Sequence, residues 1–269
     1  MELLSHGRYT AEQQPTALYK TRPRKRRTPM RIAVISDLHL SPRPWMDSFG
    51  HAEDEFLCFI NRLEAEHQQI ILLGDIYQTD HATLPLAAAA QRDLAMARSR
   101  YPRLVEKIEG AHFRYVVGNH DAIAASVLGA LPYLRLEHHG LAMVFIHGHQ
   151  FDPLLTTIRP LTNLSTRLMG RLRYFGFRRV AEWFEEKDVS LKEERYGGPK
   201  GPYALAARQL MRRHRAELVC MAHTHCPTQI DLPEGRLLNS GACRLGRNDY
   251  ITIDTTSRRA QVVTRGGPL

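Results

Sequence analysis

Short runs of apolar residues alternate along the chain with longer stretches in which apolar positions recur at helical spacing. The run Arg31–Ser36 predicts a buried strand, and Ala52–Glu66 predicts an amphipathic helix because its apolar side chains share one face. The same patterns predict strands at Gln69–Leu73, His112–Val117, Leu141–Ile146 and Leu218–Ala222, and helices at Leu86–Arg100 and Tyr203–Arg215. This alternation of strands and helices predicts an α/β fold.

The remaining segments predict how the chain is organised. Four short alternating segments after residue 227 predict strands that complete a second sheet: Thr228–Ile230, Arg236–Asn239, Tyr250–Asp254 and Gln261–Thr264. The 75 residues between His147 and His223 exceed what a simple crossover needs, so we predict a helical insertion at about 153–216. Residues 1–29 lack apolar periodicity and predict a flexible basic arm, which leaves residues 30–269 as the folded domain.

Five of the predicted strands are followed directly by polar motifs. The motifs are Asp37-Leu38-His39, Gly74-Asp75, Gly118-Asn119-His120-Asp121, His147-Gly148-His149 and His223-Thr224-His225. Because α/β sheets bind ligands beyond the carboxyl ends of their strands, we expect these motifs to meet. The candidate metal ligands are Asp37, His39, Asp75, Asn119, His147, His223 and His225. Seven such ligands suit two divalent metal ions better than one.

The order of the five motifs, from Arg31 to Gln229, resembles that of the calcineurin-like metallophosphoesterases. The resemblance implies a four-layer αββα sandwich, with the helical insertion as a cap. It also implies a phosphoester hydrolase in which a hydroxide bridging two metals attacks phosphorus in line. The usual last motif has Gly where this chain has Ala222, a departure that removes no ligand.

The resemblance also implies a role for each candidate ligand. Carried over position by position, it gives the first metal Asp37, His39, Asp75 and His225, and it makes Asp75 a bridge to the second. Asn119, His147 and His223 would complete the second site. Nitrogen and oxygen donors without thiolate fit Mn²⁺, Fe or Zn²⁺, and the resemblance favours Mn²⁺.

His120, beside Asn119, is the candidate general acid for the leaving oxygen, since its ordinary pKa range suits that task. Asp121 and Asp80 are both candidates to orient its ring, and the sequence does not choose between them. Three further residues are expected to contact the substrate, namely His149, Arg159 and Arg167.

Two substrate classes remain open. The segment SDLHL, the HGxxFDP-like fourth motif and the basic insertion resemble the UDP-2,3-diacylglucosamine diphosphatases, which implies cleavage of a pyrophosphate in a UDP-linked lipid. His120 stands where the best-known members of that branch carry Arg, which favours a phosphatase or phosphodiesterase for a small soluble substrate. A nuclease and a non-enzymatic scaffold are less favoured, the latter because no candidate ligand is missing.

The net charge of +9 is confined to two parts of the chain. Residues 1–31 carry +6 and residues 159–215 carry +8, which leaves −5 for the rest. A mildly acidic body argues against nucleic acid as the partner. A basic arm is compatible with contact to an anionic membrane surface.

The sequence also predicts where the protein resides. It has no apolar run long enough to span a membrane and no secretion signal at the N-terminus. The four cysteines lack CxxC spacing and predict reduced thiols in the cytoplasm, although Cys226 beside His225 could also serve as a soft ligand. We therefore expect a cytoplasmic protein with peripheral contact to the inner membrane as an option. The sequence makes no prediction of oligomeric state.

Overall fold

The computed structural model describes residues 30–79, 87–153 and 198–266, together with residues 172, 175–177, 180, 183 and 187. The predicted basic arm and most of the predicted insertion lie outside these residues. So do Arg159, Arg167 and Asp80, whose predicted roles remain predictions.

Ten strands in the described part of the chain form two five-stranded sheets. In chain order the strands are β1 (Arg31–Ile35), β2 (Gln69–Leu73), β3 (Phe113–Val116), β4 (Leu134–His138), β5 (Leu141–Phe145), β6 (Leu218–Met221), β7 (Thr228–Leu232), β8 (Gly235–Asn239), β9 (Tyr250–Asp254) and β10 (Arg259–Val263). The first sheet has the order β10-β9-β1-β2-β3, and the second has the order β4-β5-β6-β8-β7. In each sheet three neighbouring strands are parallel (β1, β2 and β3; β5, β6 and β8), so their carboxyl ends point to the same edge.

Helices cover the outer face of each sheet. They are α1 (Glu53–Glu66), α2 (Ala87–Arg100), α3 (Pro102–Ile108), α4 (Ala124–Val127) and α5 (Pro202–His214). Apolar residues of α1, α2 and α3 share one buried cluster with the first sheet, and those of α5 share another with the second sheet. A third cluster lies between the sheets. The predicted four-layer α/β sandwich is therefore confirmed.

Strand β1 illustrates how the sequence builds these layers. Successive side chains of a strand point to opposite faces of its sheet. Ile32 and Val34 accordingly pack between the two sheets, whereas Ala33 and Ile35 pack against the helices. A strand that is buried on both faces has a continuous run of apolar residues, which is why polar and apolar residues do not alternate in β1.

The elements that the sequence analysis missed are short. Helices α3 and α4 have 7 and 4 residues, and β4 joins β5 through the two-residue turn His139-Gly140. Both turn residues have positive φ, at 53° and 77°, which is the backbone of a type I′ hairpin turn. Among the described residues, no helix is long and apolar enough to cross a membrane.

Candidate metal centre

The loops that follow β1 and β2 remain paired after the strands end. The backbone N–H of Asp37 donates to the carbonyl of Gly74 at 3.1 Å, and that of His39 donates to the carbonyl of Asp75 at 3.0 Å. These bonds extend the parallel pairing into the first two motifs. The side chains of Asp37, His39 and Asp75 are therefore held by backbone structure as well as by their own contacts.

Five of the predicted ligands have left-handed backbone conformations. They are Asp37 (φ 54°), His39 (φ 52°), Asp75 (φ 53°), His223 (φ 69°) and His225 (φ 59°). Such a conformation costs a residue other than glycine of order 1–3 kcal/mol and persists only where the surroundings enforce it. Five predicted ligands share this unfavourable conformation, which indicates that the fold gives up some stability in order to direct their side chains.

The first cluster joins the two sheets at the ends of β1 and β6. Ligand atoms of Asp37, His39 and His225 all lie within 4.8 Å of one another. His225 Nε2 is 3.1 Å from Asp37 Oδ1 and 3.4 Å from His39 Nε2. Within the described residues, neither buried oxygen of Asp37 accepts a hydrogen bond of acceptable geometry. Two ligands ~2.1 Å from a shared ion lie about 3 Å apart, so these separations suit a common cation.

The second cluster consists of Asp75, His147 and His223, again within 4.8 Å of one another. His147 Nε2 is 3.1 Å from Asp75 Oδ2. A third set, His39, Asp75 and His120, meets the same distance limit. Asp75 therefore belongs to two neighbouring groups of potential ligands, as the sequence analysis expects of a bridging carboxylate.

Three of the imidazoles have one ring nitrogen beside an oxygen acceptor. His147 Nδ1 donates to the carbonyl of Leu73 at 2.7 Å, and His223 Nε2 lies 3.0 Å from Asp152 Oδ2. His39 Nδ1 lies 2.6 Å from Gln78 Oε1. An acceptor at one nitrogen keeps the proton there and leaves the other nitrogen able to bind a metal.

The charges of the two carboxylates and the surrounding imidazoles are coupled. Burial alone would raise the pKa of Asp37, but the interactions with His225 and the charge of His147 together outweigh it and lower the pKa to about 2. Burial alone would lower the pKa of His147, but its interactions with Asp75, Asp37 and the carbonyl of Leu73 together outweigh it and raise the pKa to about 9. A divalent cation would compete with the His147 proton, since metal binding requires a neutral imidazole.

Asn119 and His120 follow β3 and lie beside Asp75. The backbone N–H of His120 donates to Asp75 Oδ1 at 2.8 Å, and its Nε2 lies 4.0 Å from Asp75 Oδ2. Asn119 Oδ1 is buried and has no hydrogen-bond partner among the described residues, which suits an oxygen ligand. All seven predicted ligands thus lie on loops at one edge of the two sheets.

The predicted role of Asp121 needs correction. Its carboxylate does not orient the ring of His120, because both of its oxygens accept hydrogen bonds from residues in or next to the second and third motifs. Oδ2 accepts from Ile76 N at 2.7 Å and from the Tyr115 hydroxyl, and Oδ1 accepts from Gly118 N at 2.6 Å. One described side chain that contacts the ring of His120 is Gln78, whose Nε2 lies 2.9 Å from His120 Nδ1.

His149, a predicted substrate contact, lies beside the second cluster. Its ring centroid is 5.5 Å from that of His147 and 6.4 Å from that of His223. Burial, followed by the charges of those two residues, lowers the pKa of His149 to about 3. A neutral ring at this place can still exchange hydrogen bonds with a substrate.

Three residues of the site were missed by sequence reasoning. Asp152 holds His223, Gln78 contacts two histidines, and Arg247 donates to the carbonyl of His225 at 3.2 Å. Of these, Asp152 alone stands in a recognisable segment, the HGxxFDP-like fourth motif. Ala222, where the resemblance leads one to expect Gly, is fully buried and has no positive φ, so its own conformation does not require glycine.

The sequence matches the family model for calcineurin-like phosphoesterases over residues 30–227, well over half of the chain. The chain belongs to this family and is a metal-dependent phosphoester hydrolase. A search of curated proteins found no significant match.

Solved structures that resemble the chain are distant. A conserved Streptococcus pneumoniae protein described as a predicted phosphoesterase has 15% identity and a TM-score of 0.40, covering 88% of this chain and 99% of that chain. Vacuolar protein sorting 29 from Cryptosporidium parvum has 12% identity and a TM-score of 0.44, covering 90% and 99%. An archaeal phosphodiesterase has 12% identity and a TM-score of 0.42, covering 88% and 100%.

The substitution Gly118→Ala should greatly weaken metal binding. A Cβ at position 118 would lie 2.1 Å from Asp75 Oδ1 and 2.4 Å from Asp75 N, so Asp75 must move. We expect at least about tenfold weaker Mn²⁺ binding, measured as metal content after equilibrium dialysis. Gly198→Ala is the matched control, because its Cβ would meet nothing within 4 Å. Equal metal content in the two variants would contradict this account of the close approach.

Proposed function

We propose that this chain hydrolyses a phosphate ester or anhydride with two divalent metal ions. Asp37, His39 and His225 would hold the first ion, and Asn119, His147 and His223 the second. Asp75 would contact both. The observation that carries the proposal is the position of Asp75, which is buried and lies within 4.8 Å of His147 and His223 in one group and of His39, a ligand proposed for the first ion, in another.

The donor set narrows the identity of the metals. It contains only imidazole nitrogens, carboxylate oxygens and one amide oxygen, which suits Mn²⁺, Fe or Zn²⁺, and we propose Mn²⁺. When bound, such a pair of ions lowers the pKa of a water and neutralises charge on the phosphoryl oxygens. Asn119 contributes a neutral ligand, so it adds no negative charge where an anionic phosphate has to approach.

His120 is the residue that we propose assists the leaving oxygen. Its ring is partly exposed, with 21% of the side chain accessible, whereas the predicted ligands Asp75 and His147 are buried. The loop after β2 is fixed to the loop that carries His120, since Thr79 donates from N and Oγ1 to the carbonyl of His120. The ring can therefore present Nε2 to a substrate while its backbone remains in place.

Replacing His120 by Ala should lower turnover by about 100-fold or more while metal content stays near that of the wild type. The measurement is hydrolysis of bis-p-nitrophenyl phosphate together with metal analysis of the same sample. His112→Ala is a matched control on the exposed surface. Loss of metal in the His120 variant would make His120 a ligand and refute its assignment to the leaving group.

For the substrate we propose a pyrophosphate in a lipid-linked nucleotide such as a UDP-linked diacylglucosamine. The described residues of the insertion support a lipid-bearing substrate, because several large apolar side chains there are exposed: Phe175 (69%), Phe177 (56%), Trp183 (53%) and Val180 (43%). We further propose that the insertion, about 153–216, caps the site, with Arg159 and Arg167 as contacts for the diphosphate. The basic arm, residues 1–29, would favour an anionic membrane surface.

The alternative is a phosphatase or phosphodiesterase for a small soluble substrate, which the metal centre alone would serve equally well. The two are separated by comparing a UDP-linked diacylglucosamine with bis-p-nitrophenyl phosphate after adding Mn²⁺ to stripped protein. We expect the lipid-linked nucleotide to have the higher kcat/KM, because only it can use the apolar side chains of the insertion. Turnover of the artificial diester alone would refute the lipid proposal and leave the phosphoesterase chemistry intact.

A further inference from the structure

Arg247 approaches the first cluster from the loop that joins β8 to β9. Its Nη2 donates to the carbonyl of His225 at 3.2 Å and lies 2.5 Å from Asp249 Oδ2. The ring of His225 belongs to the first cluster, with Nε2 at 3.1 Å from Asp37 Oδ1. A guanidinium cation is therefore in contact with the backbone of a proposed ligand of the first ion.

The loop that carries Arg247 is fixed against the end of β1 and the loop that follows it. The N–H of Cys243 donates to the carbonyl of Ser36 at 3.0 Å, directly before the first motif. The N–H of Leu245 donates to the carbonyl of Phe49 at 2.8 Å. Leu245 also has a left-handed backbone, with φ 52°, which a residue other than glycine keeps only where the surroundings enforce it. These contacts set the position of Arg247 relative to the first cluster.

Asp249 compensates the charge of Arg247 from inside the same loop. Its side chain is 2% exposed, and its Oδ2 also accepts from the N–H of Ala242 at 3.3 Å. A Cβ on Gly241 would lie 2.5 Å from that oxygen, so glycine at this position makes room for the carboxylate. Because Asp249 is buried and fixed, it holds the guanidinium in one orientation before any ligand binds.

These contacts use one nitrogen of the guanidinium and leave two. An arginine side chain has five N–H donors, of which Nη2 supplies two. Within the part of the chain that the structure describes, Nε and Nη1 of Arg247 make no hydrogen bond. The side chain is 30% exposed, so these donors remain available to a ligand.

The charges around the first cluster favour an anionic ligand. Asp37 and Asp75 would neutralise only half of the charge of two divalent ions, and the other proposed ligands are neutral when they bind a metal. Arg247 and Asp249 add no net charge, but the carboxylate is buried and the guanidinium is partly exposed. An approaching ligand therefore meets the positive member of the pair.

The place of Arg247 suits a group next to the reacting phosphate better than the reacting phosphate itself. The guanidinium contacts the carbonyl of His225, which the length of the His225 side chain separates from the ring nitrogen that would bind the ion. In a pyrophosphate, the neighbouring group is the second phosphate. Arginine binds phosphate oxygens through charge-assisted hydrogen bonds, which are stronger than those between neutral groups.

We propose that Arg247 binds a second anionic group of the substrate, joined to the phosphate that reacts, and that it thereby favours pyrophosphates over phosphodiesters with a single charge. The proposal rests on the proposed function, since it assumes that the reacting phosphate lies at the metal centre. It adds a residue that determines specificity, and it is independent of any lipid on the substrate.

The variant Arg247→Gln tests the proposal, because it removes the charge and keeps an N–H donor. The probes are UDP-glucose, which has two charged phosphates, and the methyl ester of UMP, which has the same nucleoside and one. Each is measured as an inhibitor of bis-p-nitrophenyl phosphate hydrolysis with Mn²⁺, so the comparison does not require that either probe be cleaved. Equilibrium dialysis of both probes against Mn²⁺-loaded protein on ice gives the same comparison without turnover of the diester.

Arg236→Gln is the matched control. Arg236 likewise bonds one carboxylate and one carbonyl, with Nε at 2.6 Å from Asp231 Oδ1 and Nη1 at 3.3 Å from the carbonyl of Ala260. Its side chain is 35% exposed, close to the value for Arg247. It lies near the amino end of β8, at the opposite end of that strand from the metal centre.

We expect the wild type to bind UDP-glucose about tenfold or more tightly than the methyl ester. Arg247→Gln should weaken binding of UDP-glucose by about tenfold or more and change binding of the methyl ester by less than about threefold. Arg247→Lys should recover part of the loss, because an ammonium restores the charge without the planar fork. Metal content should be the same in the wild type and in all three variants.

Three results would overturn the proposal while leaving the proposed function standing. One is equal affinity of the wild type for the two probes, and another is an equal loss, or no loss, for both in Arg247→Gln. The third is a loss of metal in Arg247→Gln that Arg236→Gln does not show, which would make Arg247 a support for His225 alone. A wild type that neither binds metal nor hydrolyses the diester would instead refute the proposed function, and this proposal with it.

Discussion

Two buried carboxylates, Asp37 and Asp75, stand where β1 and β2 end, and the rest of the site is organised around their charge. An uncompensated buried carboxylate is costly, so positive charge has to lie close to each of them. This charge comes from the second sheet. His147 follows β5 and lies 3.1 Å from Asp75, and His225 follows β6 and lies 3.1 Å from Asp37. Packing the two sheets together therefore also places histidines next to the buried carboxylates.

The same requirement explains the unusual backbone of the motifs. Left-handed conformations at Asp37, His39 and Asp75 aim three side chains toward one point from two adjacent loops. Gly74 and Gly118 allow those loops to approach, since a Cβ on Gly74 would lie 2.4 Å from His147 Nδ1. Strain of this kind lowers the stability of the fold, and it is retained where it positions chemistry.

Much of this arrangement could be predicted from the sequence, because strand patterns and ligand chemistry are local. The strands that precede the five motifs were predicted to within a residue or two, and the predicted ligands lie together. What the sequence could not show depends on contacts between distant residues. Asp152 meets His223 across 71 positions, and Gln78 meets His120 across 42. Of the two carboxylates expected to orient His120, Asp121 accepts from backbone N–H groups and Asp80 lies outside the described residues, whereas the amide of Gln78 contacts the ring.

The central claim is that the convergent side chains form a site for two divalent ions. Calorimetric titration of Mn²⁺ into chelator-treated protein, in buffers of different ionisation enthalpy, tests it most directly. The account predicts two ions per chain and net proton release at neutral pH, because Asp75, Asp37 and the carbonyl of Leu73 together raise the pKa of His147 to about 9 and that proton must leave. Affinity should accordingly increase as the pH rises toward 9. Binding of a single ion, or binding without release of protons, would contradict the account.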